Sequence, residues 1–299
     1  RRRVIGLALL STLVGMACPG LHSIFSSIKV DFIDNDDDAL SYRVRDFDTR
    51  FGLVSMEVHG LGVSGAVEAF RRQPPAQGEP VSDLLGRVGA GEFAHMRALV
   101  LGGSRGLGAA SAKLIAAGGG AVTITYATGA ADARAVRTDI NATLGREACA
   151  AAPFDLSLPI AAQLEALAGP FTHLLYFATP QIARQKKSVY SPELFREFTH
   201  AYVDAFHVAC ETLLRAGGAL TAFYPSSVFV EERPQGMTEY AMAKAAGEQL
   251  CRDLARGAPN LKILAPRLPR VLTDQTASVT PTELDAPSAI MAPLLRALG

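Results

Sequence analysis

Three side chains in the last third of the chain, Ser227, Tyr240 and Lys244, are of the types that together could move a proton. Tyr240 and Lys244 are four residues apart on a predicted helix, so they share one face. A phenol is a poor acid near neutral pH, with a pKa of about 10, but a neighbouring ammonium group stabilises its phenolate and lowers that pKa. Ser227 follows the apolar stretch 219–224, and Ser226 is the alternative if the register differs by one residue. A Tyr–Lys pair at this spacing is common by chance and would normally lie on a helix surface, but if Ser227 lies beside it the three side chains could form a general-acid site.

A glycine-rich stretch, "LVLGGSRGLGAASAKLIAAGG", lies well upstream of these residues. Gly102, Gly106 and Gly108 fall between a predicted strand, 97–101, and a predicted helix, 106–117. Glycines at such a turn let the backbone approach a pyrophosphate, and the first amides of the helix can bind its oxygens. The position of the glycines between a strand and a helix therefore predicts a dinucleotide-binding turn.

The residues around this turn indicate which dinucleotide it binds. Sites that prefer NAD usually carry an acidic residue after the second strand, but 121–131 contains none. Arg105 lies in the glycine turn, where a guanidinium could bind a 2′-phosphate with two hydrogen bonds. We therefore expect NADPH as the cofactor; the alternative is that Arg105 only faces solvent.

Strand-like and helix-like segments alternate from Met96 to the last residue. This alternation predicts an α/β fold over 96–299, a doubly wound parallel sheet with helices on both faces. The predicted strands are 97–101, 121–126, 148–154, 173–178, 219–224 and 261–266, and the predicted helices are 106–117, 130–144, 160–168, 191–216, 238–257 and 286–298. Because the carboxyl ends of parallel strands meet at one edge, the glycine turn, Ser227 and Tyr240 should lie at the same edge.

The first 72 residues have a different pattern. The basic start and apolar run of "RRRVIGLALLSTLVGMACPG" are typical of a secretory signal, but they also fit a buried helix over 4–18, which we expect here. Four alternating segments follow, 26–33, 39–47, 52–60 and 62–70, and predict antiparallel strands. Residues 73–95 begin with "QPPAQGEP" and are predicted to form a linker.

Composition excludes several classes of protein. With 49% hydrophobic and 19% charged residues among 299, the chain can bury a core. Basic and acidic residues number 29 each, so no positive excess is available to neutralise nucleic acid.

The four cysteines are far apart in sequence, which argues against a zinc site or a disulfide framework and fits the cytoplasm. The apolar runs are too short to cross a bilayer, which takes about 20 residues. The acidic run "DNDDD" lacks the spacing of a calcium loop, so no metal is expected.

Five motifs occur across 96–299 in an order that resembles the short-chain dehydrogenase/reductase family: "LGGSRGLG", "PFDL", the serine pair, "YAMAK" and "PRLPRVLTD". "GGSRGLG" with "TITYAT" is similar to the β-ketoacyl-carrier-protein reductase branch. The resemblance implies a Rossmann-like fold and an NADPH-dependent reduction of a carbonyl. It implies that Tyr240 is the general acid, that Lys244 also contacts the nicotinamide ribose, and that Ser227 holds the substrate oxygen.

The same resemblance implies the residues that contact the cofactor. They are Gly102, Ser104, Arg105, Gly106, Leu107, Gly108, Asp155, Ala178, Tyr240, Lys244 and Thr273. Among them, Asp155 would lie near the adenine and Thr273 near the carboxamide.

The sequence departs from the family pattern at three places. After the fourth strand it reads Tyr-Phe-Ala-Thr over 176–179, where the family usually has Asn-Asn-Ala-Gly. The helix that usually supplies an asparagine for proton relay has none over 197–206, where Thr199, His200 or Tyr202 could substitute. Arg267 stands where a glycine is usual.

Residues 1–72 resemble part of a hotdog-fold acyl hydratase, without its paired Asp and His. We therefore expect a small α+β, partial hotdog-like domain before the reductase domain. The expected substrate is a small-molecule or carrier-bound acyl group, such as a β-ketoacyl or polyketide-like thioester. The alternatives are a catalytically weakened cofactor-binding scaffold and a module associated with a hydratase or dehydratase. Association into a homo-oligomer is left open.

Overall fold

A computed structural model of the chain describes residues 2–49, 51–71, 78–167, 169–182, 188–271 and 284–299. The chain forms two compact units: among the described residues, 2–71 belong to the first, and 78–271 and 284–299 belong to the second. Among the described residues, no helix combines the length and the apolar character that a bilayer crossing requires.

The N-terminal unit packs one helix on a four-stranded antiparallel sheet of order β1-β4-β3-β2. Its elements are α1 (Arg2–Thr12), which continues as a π-helical turn (Leu13–Ala17), and the strands β1 (Ser23–Phe32), β2 (Ser41–Asp48), β3 (Leu53–Gly60) and β4 (Val63–Arg71). The helix and four strands that the pattern predicts are therefore present, each shifted by only a few residues. The hotdog likeness of this unit stays a prediction.

The core of the N-terminal unit follows from the two periodicities in its sequence. Leu10, Leu13 and Val14 recur at helical spacing and are buried against alternate residues of the sheet. Those alternate residues include Val54, Met56 and Val58 of β3 and Val67 and Ala69 of β4.

The acidic run of this unit is paired with arginines of α1. Arg3 contacts Asp34 at 2.7 Å, and Arg2 contacts Asp36 at 3.3 Å and Asp38 at 3.1 Å. The three carboxylates are exposed to solvent.

The second unit contains a six-stranded parallel sheet of order β11-β9-β8-β5-β6-β7. The strands of this sheet are β5 (Arg97–Leu101), β6 (Ala121–Tyr126), β7 (Cys149–Pro153), β8 (His173–Tyr176), β9 (Leu220–Phe223) and β11 (Leu261–Leu264), and a short parallel pair is formed by β10 (Ser226–Ser227) and β12 (Arg267–Leu268). The helices are α2 (Val81–Leu84), α3 (Gly106–Ala117), α4 (Ala130–Leu144), α5 (Ile160–Glu165), α6 (Pro192–Thr199), α7 (Ala205–Gly217), α8 (Phe229–Glu232), α9 (Thr238–Gly257) and α10 (Pro287–Arg296). The predicted α/β, Rossmann-like fold is confirmed.

The strand order places a switch point beside β5. The chain runs outward from β5 through β6 to β7, and on the other side through β8 and β9 to β11. Ligands of doubly wound sheets bind at the carboxyl ends of the strands where this direction reverses. Gly102 follows β5 and Ala178 lies shortly after β8, so both are located at this point.

Each face of the sheet carries its own apolar core. One cluster joins α3 and α10 to the sheet through residues such as Leu114, Ile115 and Met291. The other includes Phe198, Phe206 and Tyr240 and packs α6, α7 and α9 on the opposite face. All six are almost fully buried.

Part of the segment predicted as a linker over 73–95 belongs to the core of the second unit. Val81, Leu84, Val88 and Phe93 are buried in the first of these clusters. The adjacent prolines and polar residues before them dominate the composition of the segment. The helical spacing of its apolar residues is too brief to stand out against them.

The long helix predicted over 191–216 is interrupted. A π-helical turn, His200–Asp204, separates α6 from α7 and accommodates one extra residue per turn. Such turns are common at functional sites because they re-aim the side chains that follow.

Gly247 of α9 offers a test of the packing in the second core. A methyl group there would lie 1.9 Å from Tyr224 Oη and 3.0 Å from the Tyr202 carbonyl oxygen. We expect Gly247→Ala to lower the free energy of unfolding by about 1–3 kcal/mol through overpacking. In thermal unfolding followed by circular dichroism, Gly257→Ala is the matched control. It lies on the same helix with nothing within 4 Å of the added atom. Equal stability of the two variants would contradict the packing described here.

Candidate functional site

The turn between β5 and α3 is built from close backbone contacts. Gly102 has a φ of +80°, and a Cβ there would lie 2.7 Å from the carbonyl carbon of Phe177 and 2.8 Å from the amide nitrogen of Ala178. A Cβ on Gly108 would lie 2.3 Å from the carbonyl oxygen of Gly102. Both positions therefore require glycine, and Gly106, with a φ of +55°, opens α3.

Arg105 lies next to the loop that follows β6. Its guanidinium is 3.2 Å from the carboxylate of Asp132, in the first turn of α4. A Cβ on Gly129 would lie 3.1 Å from the Arg105 guanidinium and from Ser104 Oγ, and 3.3 Å from the Asp132 carboxylate. Asp132 directly follows the acid-free stretch 121–131, and the turn into α4 brings its carboxylate back to Arg105, which sequence spacing alone does not show.

The remaining residues predicted to bind a cofactor are placed as follows. Leu107 packs against the first core, and Ala178 lies beside Gly102. Asp155 follows β7, and its carboxylate accepts hydrogen bonds of 2.8 Å from both the backbone amide and the hydroxyl of Ser157, which lower the pKa of Asp155. Thr273 lies outside the described residues.

The structure brings Ser227, Tyr240 and Lys244 together in the second core. Ser227 ends β10, and its Oγ accepts a hydrogen bond of 3.2 Å from the amide of Phe229. Tyr240 and Lys244 lie on one face of α9, and both are buried. Burial raises the pKa of Tyr240, and a hydrogen bond with the Ser227 side chain opposes that rise.

This direction corrects the expectation that the pKa of Tyr240 is lowered. Lys244 Nζ lies 5.9 Å from the centroid of the Tyr240 ring. Removal from water disfavours the phenolate more than its surroundings favour it. Tyr240 is therefore a protonated phenol in the protein alone, which is the form that a general acid needs.

Lys244 is held within aromatic surroundings. Its ammonium donates a hydrogen bond of 2.6 Å to the carbonyl oxygen of Pro225. It also lies 4.0 Å from the ring centroid of Tyr202 and 4.8 Å from that of Tyr224. Burial lowers the pKa of Lys244 to about 7, against the opposing effects of Cys251 and Glu248.

A buried polar cluster fixes the strand pair that carries Ser227. Ser226 Oγ donates a hydrogen bond of 2.5 Å to Glu248 Oε1, and Arg267 binds both oxygens of Glu248 at 2.7 Å. Ser226 is thus engaged in a structural contact, which favours Ser227 for a role with substrate. The sequence reading missed Glu248, although its position four residues after Lys244 was a signal for a shared helix face.

Tyr202 and Phe198 occupy the part of the helix where an asparagine was expected. Their rings stack at a centroid distance of 5.7 Å and an interplanar angle of 10°. The Tyr202 hydroxyl shares a hydrogen bond of 2.5 Å with Thr179 Oγ1. His200 instead contacts the carbonyl oxygen of Leu156 at 2.9 Å, away from Lys244.

Across the described ranges, no group of three or more His, Cys, Asp or Glu side chains is arranged to hold a metal ion. The four cysteines form no disulfide.

Solved structures of other proteins share the fold of the second unit. A short chain dehydrogenase from Burkholderia cenocepacia J2315, in complex with NADP, has a TM-score of 0.60 and 26% sequence identity, over 70% of this chain and 91% of that one. A protein assigned to the short chain dehydrogenases, from Escherichia coli CFT073 and complexed with NADPH, has a TM-score of 0.57 and 25% identity, over 67% and 89% of the two chains. The E. coli oxidoreductase yciK has a TM-score of 0.59 and 23% identity, over 68% and 88%.

No protein-family model matches the sequence, and no curated protein does. The solved structures nevertheless agree on the architecture. The second unit has the fold of the short-chain dehydrogenases. These solved structures do not support a closer resemblance of the second unit to β-ketoacyl reductases, nor a resemblance of the N-terminal unit to a hotdog fold.

The buried cluster around Glu248 predicts a pH-dependent contribution to stability. Arg267 is the main cause of a lowered pKa of Glu248, and Ser226 adds to it. Between this lowered pKa in the folded protein and the ordinary glutamate pKa of the unfolded chain, the unfolded chain binds more protons. The stabilisation is therefore complete above the ordinary glutamate pKa and is lost as pH falls through the lowered one. We expect Glu248→Gln to lower the free energy of unfolding by about 2 kcal/mol at pH 7, and by progressively less as the pH falls.

Thermal unfolding from pH 7 to pH 3 measures this difference. Glu165→Gln is the control, since Glu165 is an exposed residue of α5. If the difference in stability between Glu248→Gln and wild type were the same at every pH in this range, the assigned ion pair would be contradicted.

Proposed function

We propose that the protein is an NADPH-dependent oxidoreductase that reduces a carbonyl group to an alcohol. The observation that carries the proposal is the convergence of Ser227, Tyr240 and Lys244 behind the carboxyl edge of the same sheet as the glycine turn. Several proteins with this fold were crystallised with NADP or NADPH, which supports the choice of cofactor.

The residues at the switch point fit a dinucleotide. A Cβ on Gly102 or Gly108 would collide with neighbouring backbone, so the two glycines keep the turn compact where a pyrophosphate would bind. The 12-residue helix α3 begins at the carboxyl edge of the sheet. Its first amides and the positive end of its dipole would favour the phosphates of a bound nucleotide. Arg105 would hold a 2′-phosphate, and Asp155 the adenine. When bound, the nucleotide supplies the hydride.

The chain's own residues would supply the proton and the orientation. Ser227 holds the carbonyl oxygen of the substrate by a hydrogen bond. Tyr240, a protonated phenol, gives its proton to that oxygen as negative charge develops there. The Lys244 ammonium stabilises the phenolate that remains, because an opposite charge favours the ionised form of a neighbour.

The substrate class that we propose is a β-ketoacyl or polyketide-like thioester, free or bound to a carrier. Two features of the sequence support it. The motifs "GGSRGLG" and "TITYAT" resemble reductases of carrier-bound ketones, and residues 1–72 resemble part of an acyl hydratase. Ketoreduction and dehydration are consecutive steps on such chains, which would explain both units in one protein.

A second candidate function is a cofactor-binding scaffold within an acyl-chain pathway. The observation that favours it is the pair of stacked rings, Phe198 and Tyr202, where the family resemblance implies an asparagine for proton relay. A scaffold would bind NADPH and turn over no carbonyl compound.

NADPH oxidation with acetoacetyl thioesters and a panel of simple ketones separates the two candidates. We expect turnover by the wild type and a decrease in kcat of about 10²–10⁴ in Tyr240→Phe, because the variant retains the ring and loses the proton. Tyr42→Phe, in β2 of the N-terminal unit, is the control. NADPH binding without turnover of any substrate in the panel would favour the scaffold.

Cofactor preference tests the role of Arg105. Loss of a guanidinium that pairs with a phosphate costs about 1.5–3 kcal/mol, or roughly 10- to 150-fold in Kd. We expect Arg105→Ala to weaken NADPH binding by that factor and to leave NADH binding nearly unchanged. Calorimetric titration of both nucleotides provides the measurement, with Arg134→Ala on the exposed side of α4 as control. Equal weakening of both nucleotides would remove Arg105 from the phosphate site.

A further inference from the structure

The ammonium of Lys244 is surrounded by uncharged groups that can stabilise a cation, namely a carbonyl oxygen and aromatic ring faces. Its nearest neighbours are the Pro225 carbonyl oxygen, at 2.6 Å, and the ring faces of Tyr202 and Tyr224, with centroids at 4.0 and 4.8 Å. A cation within about 6 Å of an aromatic centroid is attracted by the ring quadrupole, and the attraction grows when water is excluded. Lys244 is 4% exposed, so water is largely excluded from its ammonium.

The Tyr202 ring is held in place by contacts other than Lys244. Phe198 stacks on it at a centroid distance of 5.7 Å, and Tyr240 meets its edge at 5.7 Å and 85°. Its hydroxyl is tied to Thr179 by a hydrogen bond of 2.5 Å. The backbone beneath it is the π-helical turn, His200–Asp204. The ring is therefore preorganised to receive the ammonium.

We propose that Tyr202 is a positioning residue whose ring face holds the Lys244 ammonium against the Pro225 carbonyl and keeps it charged beside Tyr240. An aromatic face thus takes the position on this helix where a polar relay residue was expected. The inference rests on the proposed function, because the charge on Lys244 affects turnover only if Tyr240 transfers a proton.

Burial and the groups that face Lys244 shift its pKa in opposite directions. Burial lowers its pKa to about 7, whereas Glu248 and Cys251, on its own helix, favour the ammonium. Tyr240 lies on that helix as well, and Tyr202 and Tyr224 face the ammonium from the π-helical turn and from the end of β9. Removing the Tyr202 ring face should therefore lower the pKa of Lys244 further.

Lysine titration by NMR tests the proposal directly. The chain has six lysines, so ¹³Cε-labelled lysine gives a simple spectrum of the full chain, in which Lys244→Met assigns the Lys244 signal. We expect Tyr202→Phe to titrate like the wild type, because the ring face remains. We expect Tyr202→Leu to lower the pKa of Lys244 by about one unit. Phe206→Leu is the control, since it opens the same core at a ring that contacts Tyr224.

Activity against pH gives an independent measurement. The charged form of Lys244 is lost as pH rises, so the alkaline limb of kcat should move to lower pH in Tyr202→Leu and stay in place in Tyr202→Phe. Lys244 pKa values that agree in wild type and Tyr202→Leu would overturn the proposal. So would equal shifts in the Leu and Phe variants, which would assign the effect to the hydroxyl.

A second substitution keeps the proposal testable if Tyr202→Leu fails to fold. Replacing Tyr202 by 3,5-difluorophenylalanine preserves the shape of the ring of Tyr202→Phe and weakens its quadrupole. Relative to Tyr202→Phe, it should lower the Lys244 pKa; an unchanged pKa would overturn the proposal. Because the titration needs no turnover, the two ideas fail separately. A shift in a protein that reduces no carbonyl supports the positioning role and overturns the reductase; turnover without a shift does the reverse.

Discussion

The burial of one ammonium group, that of Lys244, is the constraint on which the carboxyl edge of the second unit depends. Transfer of a charge from water into a protein core costs several kcal/mol unless polar groups replace the lost hydration. Here the replacement comes from the Pro225 carbonyl and from the faces of Tyr202 and Tyr224. Three elements that are distant in sequence must therefore converge on one atom.

That convergence explains several features around it. The Tyr224 ring reaches α9 only because residue 247 is glycine, and its hydroxyl, buried and without a hydrogen-bond partner among the described residues, fills the space of the missing side chain. The strand pair that carries Ser227 is tied to the same helix through Glu248 and Arg267. A substitution at either place would disturb the geometry of the proposed proton donor without touching it.

Local signals predicted the elements that are bounded by glycines or that follow one hydrophobic period. The helices 106–117, 130–144 and 238–257 agree with the predictions because glycines bound them and their apolar residues keep a helical spacing. The first strands of the α/β unit were also recognisable, since buried parallel strands are continuous apolar runs. The same reasoning missed the core residues of 81–93, where short apolar spacing is hidden among prolines, and the π-helical turn within 191–216, which has no period of its own.

The residue types and their order along the chain determined by themselves that a glycine turn, a serine and a Tyr–Lys pair lie at one edge of a parallel sheet, because strand direction and helix periodicity are local properties. Tertiary structure alone decided which side chains meet there. Arg105 pairs with Asp132 across a turn, Tyr202 rather than an asparagine faces Lys244, and burial sets the direction of the Tyr240 pKa. Those outcomes depend on distances and on the exclusion of water, and neither is encoded by sequence spacing.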